Sequence, residues 1–135
     1  MLSCRLLWFE PVEPADYPEL AMASVTTHDL PTIAGLWSGA DEAAQRAIGL
    51  TVGEGPHRLR DRLRGLLRLP DNAPVADVIE AAYRRLAEAP SRIVTATLED
   101  AQAITERPNM PGTTTQWPNW SLALPQDIET MAEAE

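Results

Sequence analysis

The spacing of hydrophobic residues changes several times along this chain, and each change marks a predicted element. Three runs of mostly apolar or β-branched residues, at 2–9, 22–27 and 93–98, are typical of strands in a sheet. Between them apolar residues recur every three or four positions, which is the spacing of an amphipathic helix. The order strand, helix, strand, paired helices, strand predicts a βαβαβ pattern, and therefore an α/β fold with a parallel sheet.

The helical spacing is clearest in the middle of the chain. Residues 57–69 and 75–89 each place their apolar side chains on one stripe and predict two amphipathic helices. A shorter helical turn is predicted for 30–37, and Ser38-Gly39 ends it. A helix is predicted for 42–50, because Asp41 is a favourable N-cap in front of an alanine-rich segment.

The last third of the chain shows little periodicity. Residues 101–104 predict at most one helical turn, and residues 107–125 predict a loop that contains one short strand at 121–124. Residues 127–135 predict a short terminal helix with frayed ends. The functional part of this region is therefore expected to lie on loops.

Length and charge restrict the class of protein. The chain has 135 residues, 44% of them hydrophobic, which is enough for one domain or a part of a larger one and argues against disorder. The formal net charge of -9 makes nucleic acids and anionic membranes poor candidates for binding partners. Cys4 is the only cysteine, so an internal disulfide is excluded, and a reducing cytoplasmic location is expected.

Five arginines within the predicted helix 57–69 allow two interpretations. They are Arg58, Arg60, Arg62, Arg64 and Arg68. Such a cluster could bind phosphate or nucleic acid, or it could form a solvated helix face with Asp61 interspersed. We favour the solvated face, because the chain is acidic and no aromatic platform accompanies the arginines.

A polar break directly follows the second predicted strand. Pro31 cannot continue a ladder of strand hydrogen bonds, so the strand should stop before it. His28 and Asp29 then lie at the carboxyl end of a strand, where parallel α/β enzymes hold catalytic groups. The alternative is that His28 hydrogen-bonds Asp29 or the turn and has no chemical role; the dipeptide alone leaves both open.

The residues around this break resemble a known enzyme family. The run from Met22 to Gly39, with Thr-His-Asp-Leu-Pro-Thr at 27–32, resembles the segment around the third catalytic carboxylate of amylomaltases, the bacterial 4-alpha-glucanotransferases of glycoside hydrolase family 77. The same order of landmarks continues in Leu-Trp-Phe-Glu at 7–10, Arg-Pro-Asn-Met-Pro-Gly-Thr at 107–113 and Pro-Asn-Trp at 118–120. The resemblance therefore covers nearly the whole chain.

This resemblance implies a fold. The three strands look like the last three of the family's (β/α)8 TIM barrel, so residues 1–135 would be the C-terminal portion of that catalytic domain, with no separate second domain. The helices between residues 41 and 89 would be a helical insertion that covers this incomplete barrel. The resemblance also implies that the chain corresponds to only part of the family's length.

The resemblance assigns the site residues as well. Asp29 would stabilise the transition state at the donor sugar, and His28 would hydrogen-bond the hydroxyls of that sugar. Asn109, Gly112 and Trp117 would bind substrate from the downstream loop. Trp120 is expected in the core, as most tryptophans are. Acidic residues also end the third predicted strand, and of these Asp100 is expected to be structural.

The implied reaction needs more than this chain supplies. A retaining mechanism uses one carboxylate as nucleophile and a second as general acid and base. The family's motifs for both lie upstream of the counterpart of Leu2, and no position here matches them. The chain is thus expected to bind maltooligosaccharides or α-1,4-glucans without cofactor or metal and to be inactive alone. The alternative is a non-catalytic sugar-binding or structural remnant, which could self-associate through exposed barrel edges.

Overall fold

A three-stranded parallel sheet forms the centre of the computed structural model, which describes residues 1–133. The strands are β1 (Ser3–Leu6), β2 (Ala21–Ser24) and β3 (Ile93–Val94), in the order β1-β2-β3. Both pairs are parallel, and Met22 in the middle strand is opposite Cys4 on one side and Ile93 on the other. The predicted parallel sheet is confirmed.

Helices make up most of the remaining regular structure. They are α1 (Ile33–Ser38), α2 (Ala40–Ala47), α3 (Gly55–Leu67), α4 (Val75–Leu86), α5 (Leu98–Ala101) and α6 (Ile128–Glu133), with a 3-10 turn at Pro14–Asp16. The predicted helices at 57–69 and 75–89 correspond to α3 and α4, and α1 ends before Gly39 as expected. The last two residues of the predicted terminal helix lie outside the described residues.

The hydrophobic core lies between β2 and the helices α1, α3 and α4. It contains the apolar positions that the periodicity selects, including Leu63 on α3 and Val78, Ala82 and Leu86 on α4. Partly buried leucines at 59, 66 and 67 pack against this cluster. The helical stripes are therefore confirmed by packing, because the apolar side of each helix lies in the common core cluster.

All three strands are shorter than predicted, and β2 ends at Ser24 rather than at residue 27. β1 ends at Leu6, and the next residues form a turn in which Trp8 is buried while Phe9 is exposed. β3 has only two residues, and its predicted end at 98 is instead the start of α5. Within residues 1–133 β1 and β3 each pair only with β2, and the pairing ends at Leu6 opposite Ser24 and at Val94 opposite Ala23. Residues 121–124 are irregular, and the strand predicted there is wrong.

Two polar predictions on the helices have different outcomes. Asp41 is not the N-cap of α2, because the helix begins at Ala40 and the Asp41 side chain is buried in a tertiary ion pair. The solvated face is found for two arginines of α3, since Arg58 pairs with Glu54 and Arg64 pairs with Asp61 and Asp71. Exposed pairs of this kind contribute little to stability. Arg60 differs, because its guanidinium lies 4.9 Å from the centre of the Trp37 ring.

Candidate functional site

His28 and Asp29 form a turn that leaves the carboxyl end of β2. The turn is closed by the Leu30 N–H, which donates to the Thr27 carbonyl at 3.1 Å. Directly after it, the Thr32 side chain accepts from the Gly35 N–H at 2.9 Å and caps α1. The side chains of His28 and Asp29 are 53% and 48% exposed, so both are open to a ligand.

Three of the predicted site residues come together at this turn. The Asn109 side-chain amide donates to Asp29 Oδ1 at 2.6 Å, and the Asn109 N–H donates to the His28 carbonyl at 3.2 Å. His28 Nε2 lies 3.4 Å from Asp29 Oδ2. The Asn109 amide therefore fixes one oxygen of the Asp29 carboxylate in orientation, while the His28 ring lies near the other.

A buried ion pair supports the turn. Arg107 donates from Nη1 to the Asp29 carbonyl at 2.8 Å, and from Nε and Nη2 to the Asp41 carboxylate at 2.7 and 2.5 Å. The side chains of Arg107 and Asp41 are 8% and 3% exposed. This two-point contact matches the planar fork of a guanidinium group, and it fixes α2, the loop after α5 and the His28-Asp29 turn relative to one another.

Asp100 occupies a second buried polar position, away from the surface. Its Oδ1 accepts from the Ile33 N–H at 2.9 Å, and its Oδ2 accepts from the Tyr83 hydroxyl at 2.7 Å. A carboxylate at the first turn of α1 satisfies a free N–H group and favours the helix dipole. Both oxygens are used inside the protein, which agrees with the expected structural role.

The Tyr83 contact is expected to make the folded protein less stable at alkaline pH. Burial, followed by the negative charge of Asp100, raises the pKa of Tyr83 from 10.0 to about 12. Because the folded pKa exceeds the unfolded value, this contribution is complete below pH 10 and is lost as the pH rises towards 12. Urea unfolding of the unmodified chain should show this loss, and Tyr83→Phe should show a smaller alkaline decline. Equal pH profiles for the two proteins would contradict the assignment.

The loop after Arg107 is braced by its own side chains. The Asn119 side chain accepts from the Met110 N–H at 2.8 Å and donates to Thr113 Oγ1 at 2.9 Å. Gly112 has a φ of 82°, and a Cβ at this position would meet nothing within 4 Å. Glycine is favoured at this position because the backbone is left-handed there. A close approach by another part of the described chain is not the reason, because none occurs.

The two tryptophans of this loop have different surroundings. Trp117 is half-buried, and its indole N–H donates to the Arg107 carbonyl at 3.1 Å. Trp120 is 66% exposed, so the core position expected for it is wrong. Its N–H donates to the Pro108 carbonyl at 2.9 Å, and its φ of 61° turns the ring outward against His28, with 4.7 Å between ring centroids.

A cavity of about 340 Å³ opens beside the turn. Its wall is formed by Thr26, Thr27, His28, Leu30, Thr32, Thr97, Glu99, Pro108, Trp120 and Leu122. Of the predicted site residues only His28 lines it; Asp29 and the three loop residues at 109, 112 and 117 do not. The sequence assigned no site role to Glu99 and Trp120, although the acidic pair at 99–100 was a visible signal.

Metal-binding clusters and membrane-spanning helices are both absent from residues 1–133. No group of three or more His, Cys, Asp or Glu side chains is close enough to hold a metal ion. In the same part of the chain, each helix is too short or too polar to span a bilayer.

Comparisons with known proteins converge on one family. A family model described as 4-alpha-glucanotransferase matches residues 1–128. The 4-alpha-glucanotransferase of Mycobacterium tuberculosis is 32% identical over 92% of this chain, and that of Haemophilus influenzae is 28% identical over 84%. The chain spans only 20% and 19% of those two relatives. The crystal structure of amylomaltase from Corynebacterium glutamicum superposes with a TM-score of 0.84 at 26% identity, over 99% of this chain and 24% of that one.

Proposed function

This chain belongs to glycoside hydrolase family 77, the 4-alpha-glucanotransferases, and from that premise we propose that Asp29 stabilises the transition state at the donor sugar. Cleavage of a glucosidic bond passes through an oxocarbenium-like state, in which positive charge spreads over the sugar ring. A carboxylate with a fixed orientation stabilises that charge without reorganising during the reaction. The observation that carries the proposal is the Asp29 carboxylate itself, which Asn109 holds at 2.6 Å while about half of the side chain stays accessible.

The neighbours of Asp29 are proposed to bind the glucan. The exposed His28 imidazole can donate to or accept from a sugar hydroxyl. The Asn109 side-chain oxygen has no hydrogen-bond partner among residues 1–133, so it can accept from a substrate hydroxyl while the amide N–H donates to Asp29. Gly112 shapes the loop that carries Asn109. Trp117 uses its indole N–H internally, so only its ring face is proposed to contact the glucan.

The fold is proposed to be a segment of a larger barrel. We place β1, β2 and β3 as the last three strands of the family's (β/α)8 barrel, with residues 1–135 forming part of one catalytic domain. Two observations support this. The amylomaltase superposition uses 24% of that chain, and in residues 1–133 both outer strands have one unpaired side. The unpaired sides would be completed by further strands of the same barrel.

The reaction is proposed to require residues that positions 1–135 do not supply. The family transfers α-1,4-glucan segments with retention, and its nucleophile and general-acid motifs have no match in this sequence. Stabilisation of the transition state without these two groups gives no useful turnover. We therefore expect no glucose release when the chain alone is incubated with maltotriose. Robust glucose release in that disproportionation assay would contradict the assignment.

Sugar binding by the isolated chain should depend on Asp29. In calorimetric titrations with maltotriose, Asp29→Ala is expected to weaken binding by about ten- to a hundredfold, which corresponds to one hydrogen bond to a charged group. Asp29→Asn should lose less affinity for maltotriose than Asp29→Ala, because the amide keeps the shape of the side chain and one hydrogen-bond acceptor. Asp77→Asn, an exposed carboxylate on α4, is the matched control and should bind like the unmodified chain. Equal affinity for Asp29→Ala and the unmodified chain would argue against the proposal.

A second candidate is a structural remnant that self-associates. The exposed Ile93 and Val94 side chains on β3 favour it, because an apolar strand with an unpaired side can pair with another copy. Such a remnant binds no sugar, so the same maltotriose titration separates the two candidates. Light scattering at several protein concentrations then shows whether the chain associates.

A further inference from the structure

Asp41 is a buried carboxylate on α2 that a ligand cannot touch. Its side chain is only 3% exposed, and both of its oxygens accept hydrogen bonds from inside the protein. Arg107 donates to Oδ1 from Nε at 2.7 Å and to Oδ2 from Nη2 at 2.5 Å, and the Gln45 amide donates to Oδ2 at 2.7 Å. Any effect of Asp41 on a ligand therefore has to pass through one of these two side chains.

Stability alone is a weak reason for such an ion pair. Taking a carboxylate and a guanidinium out of water costs free energy that their attraction only partly returns, and apolar side chains of similar volume often stabilise a core as well or better. What the pair adds is direction, because a planar guanidinium meets a carboxylate at two points in one relative orientation. The contact with Asp41 therefore fixes the orientation of the Arg107 guanidinium.

The oriented guanidinium has a further nitrogen, and this nitrogen reaches the His28-Asp29 turn. Because Nε and Nη2 are bound to Asp41 and the group is planar, Nη1 can point in only one direction. Nη1 donates to the backbone carbonyl of Asp29 at 2.8 Å. The Asp41 carboxylate thus determines, through one rigid group, where the Asp29 carbonyl lies.

The segment that carries Arg107 also holds the Asp29 carboxylate. The Asn109 N–H donates to the His28 carbonyl at 3.2 Å, and the Asn109 side-chain amide donates to Asp29 Oδ1 at 2.6 Å. The Trp117 indole N–H donates to the Arg107 carbonyl at 3.1 Å, which ties this segment to the following loop. Asp29 is therefore held at its carbonyl by Arg107 and at its carboxylate by Asn109, and a displacement of Arg107 would move both contacts.

We infer that Asp41 and Arg107 are positioning residues for Asp29: the Asp41 carboxylate orients the Arg107 guanidinium, and that guanidinium sets the place of Asp29 relative to a bound glucan. The inference rests on the proposed function for the chemical role of Asp29. It goes beyond that function in giving a buried carboxylate, which acts on Asp29 only through Arg107, a part in the reaction. Placement matters because a shift of about 1 Å in a reacting group can cost about a hundredfold in rate.

The Asn109 side-chain amide can report on this placement, because it donates to Asp29 Oδ1 and gives its own signals in proton–nitrogen NMR spectra. Arg107→Lys keeps a positive charge beside Asp41 but lacks the planar fork, so the Asn109 amide signals should shift towards those of a solvent-exposed amide. Asp41→Asn leaves one acceptor in place of two and should shift the same signals in the same direction. Gln45→Ala leaves the ion pair intact, so it should remain folded and cause a smaller shift.

A core substitution separates positioning from a general loss of stability. Val78→Ala on α4 removes buried methyl groups from a side chain that has no polar atoms. It should therefore lower the midpoint of urea unfolding and leave the Asn109 signals unchanged. The unfolding midpoint of every variant shows whether it is folded without urea. Unchanged Asn109 signals in all folded variants of Asp41, Gln45 and Arg107 would overturn the inference.

Calorimetric titration of the 135-residue chain with maltotriose tests the consequence for binding. Arg107→Lys should weaken binding by about three- to tenfold. Most of this loss should disappear when Asp29 is already replaced by alanine, because the effect of Arg107 passes through Asp29. An equal loss in both backgrounds would overturn the inference, since Arg107 would then act on the glucan independently of Asp29.

Two results distinguish this inference from the proposed function. Weakened maltotriose binding in Asp29→Ala, together with unchanged Asn109 signals in the variants of Asp41 and Arg107, would overturn the positioning and leave the role of Asp29 intact. Absence of maltotriose binding by the unmodified chain would overturn both, because a positioned Asp29 would then have no glucan to act on.

Discussion

Replacing Arg107 with alanine is expected to lower the free energy of unfolding by about 3–5 kcal/mol, the usual cost of leaving one buried charge without its partner. The Asp41 carboxylate would lose both guanidinium donors and retain only the Gln45 side-chain amide, which donates at 2.7 Å. The Asp29 carbonyl would lose its donor at 2.8 Å in the same step. A loss of this size is a large fraction of the stability of a small domain.

Urea unfolding measures this effect, and the chain offers a matched control. Arg84 on α4 pairs with Glu80 at the surface, where both side chains are mostly exposed. Arg84→Ala should therefore change the free energy of unfolding by less than about 1 kcal/mol. The double variant Arg107→Ala with Asp41→Ala should lose less than the sum of the two single variants, because it leaves no unpaired charge. Similar losses for Arg107→Ala and Arg84→Ala would refute the buried pair.

Gly35→Ala is expected to destabilise the fold by about 1–3 kcal/mol or more through overpacking. A Cβ on Gly35 would overlap the backbone carbonyl oxygen of Thr105 and would lie 3.1 Å from Thr32 Oγ1. The Thr105 carbonyl belongs to the backbone, and the Thr32 hydroxyl holds the adjacent Ile104 carbonyl at 2.6 Å. Moving this segment away from the new Cβ would therefore cost free energy. The substitution should therefore push the segment that leads to Arg107 away from α1.

Gly65→Ala provides the comparison for Gly35→Ala. Gly65 lies within α3, and a Cβ there would meet nothing within 4 Å. Alanine in a helix interior is favoured over glycine by about 0.5–1 kcal/mol, so this variant should be stabilised. Opposite signs for the two variants in urea unfolding are the expected result, and stabilisation by both would contradict the close approach of residue 105 to α1. Circular dichroism should show that helix content is retained in each variant.

The helical part of the fold could be predicted because its signals are local. The apolar residues of α3 and α4 repeat at the helical period, so their positions in the sequence indicate which face of each helix is buried. All three strands were predicted too long. For β1, the apolar run 2–9 does not show that its ladder stops opposite Ser24. Strand length depends on the neighbour, which lies far away along the chain.

Polar residues were harder to place than apolar ones. Asp41 has the sequence position of a helix cap, and it was predicted as one, but its carboxylate binds a guanidinium that is 66 residues away in the chain. Trp120 was assigned to the core because of its residue type, and a single left-handed backbone angle turns it outward. Neither outcome has a local signature, because the partner of Asp41 and the Pro108 carbonyl that accepts from the Trp120 N–H come close only on folding.

The sequence by itself determined the family, the parallel sheet, the two long amphipathic helices and the position of His28 and Asp29 in a turn after the second strand, since these follow from short motifs and regular spacing. The tertiary structure alone decided the surroundings of the carboxylates. Asn109 orients Asp29, and Arg107 pairs with the buried Asp41. Asp100 accepts from the first N–H of α1, and Glu99 faces the cavity beside Trp120. The physical reason is that a carboxylate acts through the donors around it, and those donors come from segments that are separated along the chain and meet only in the folded protein.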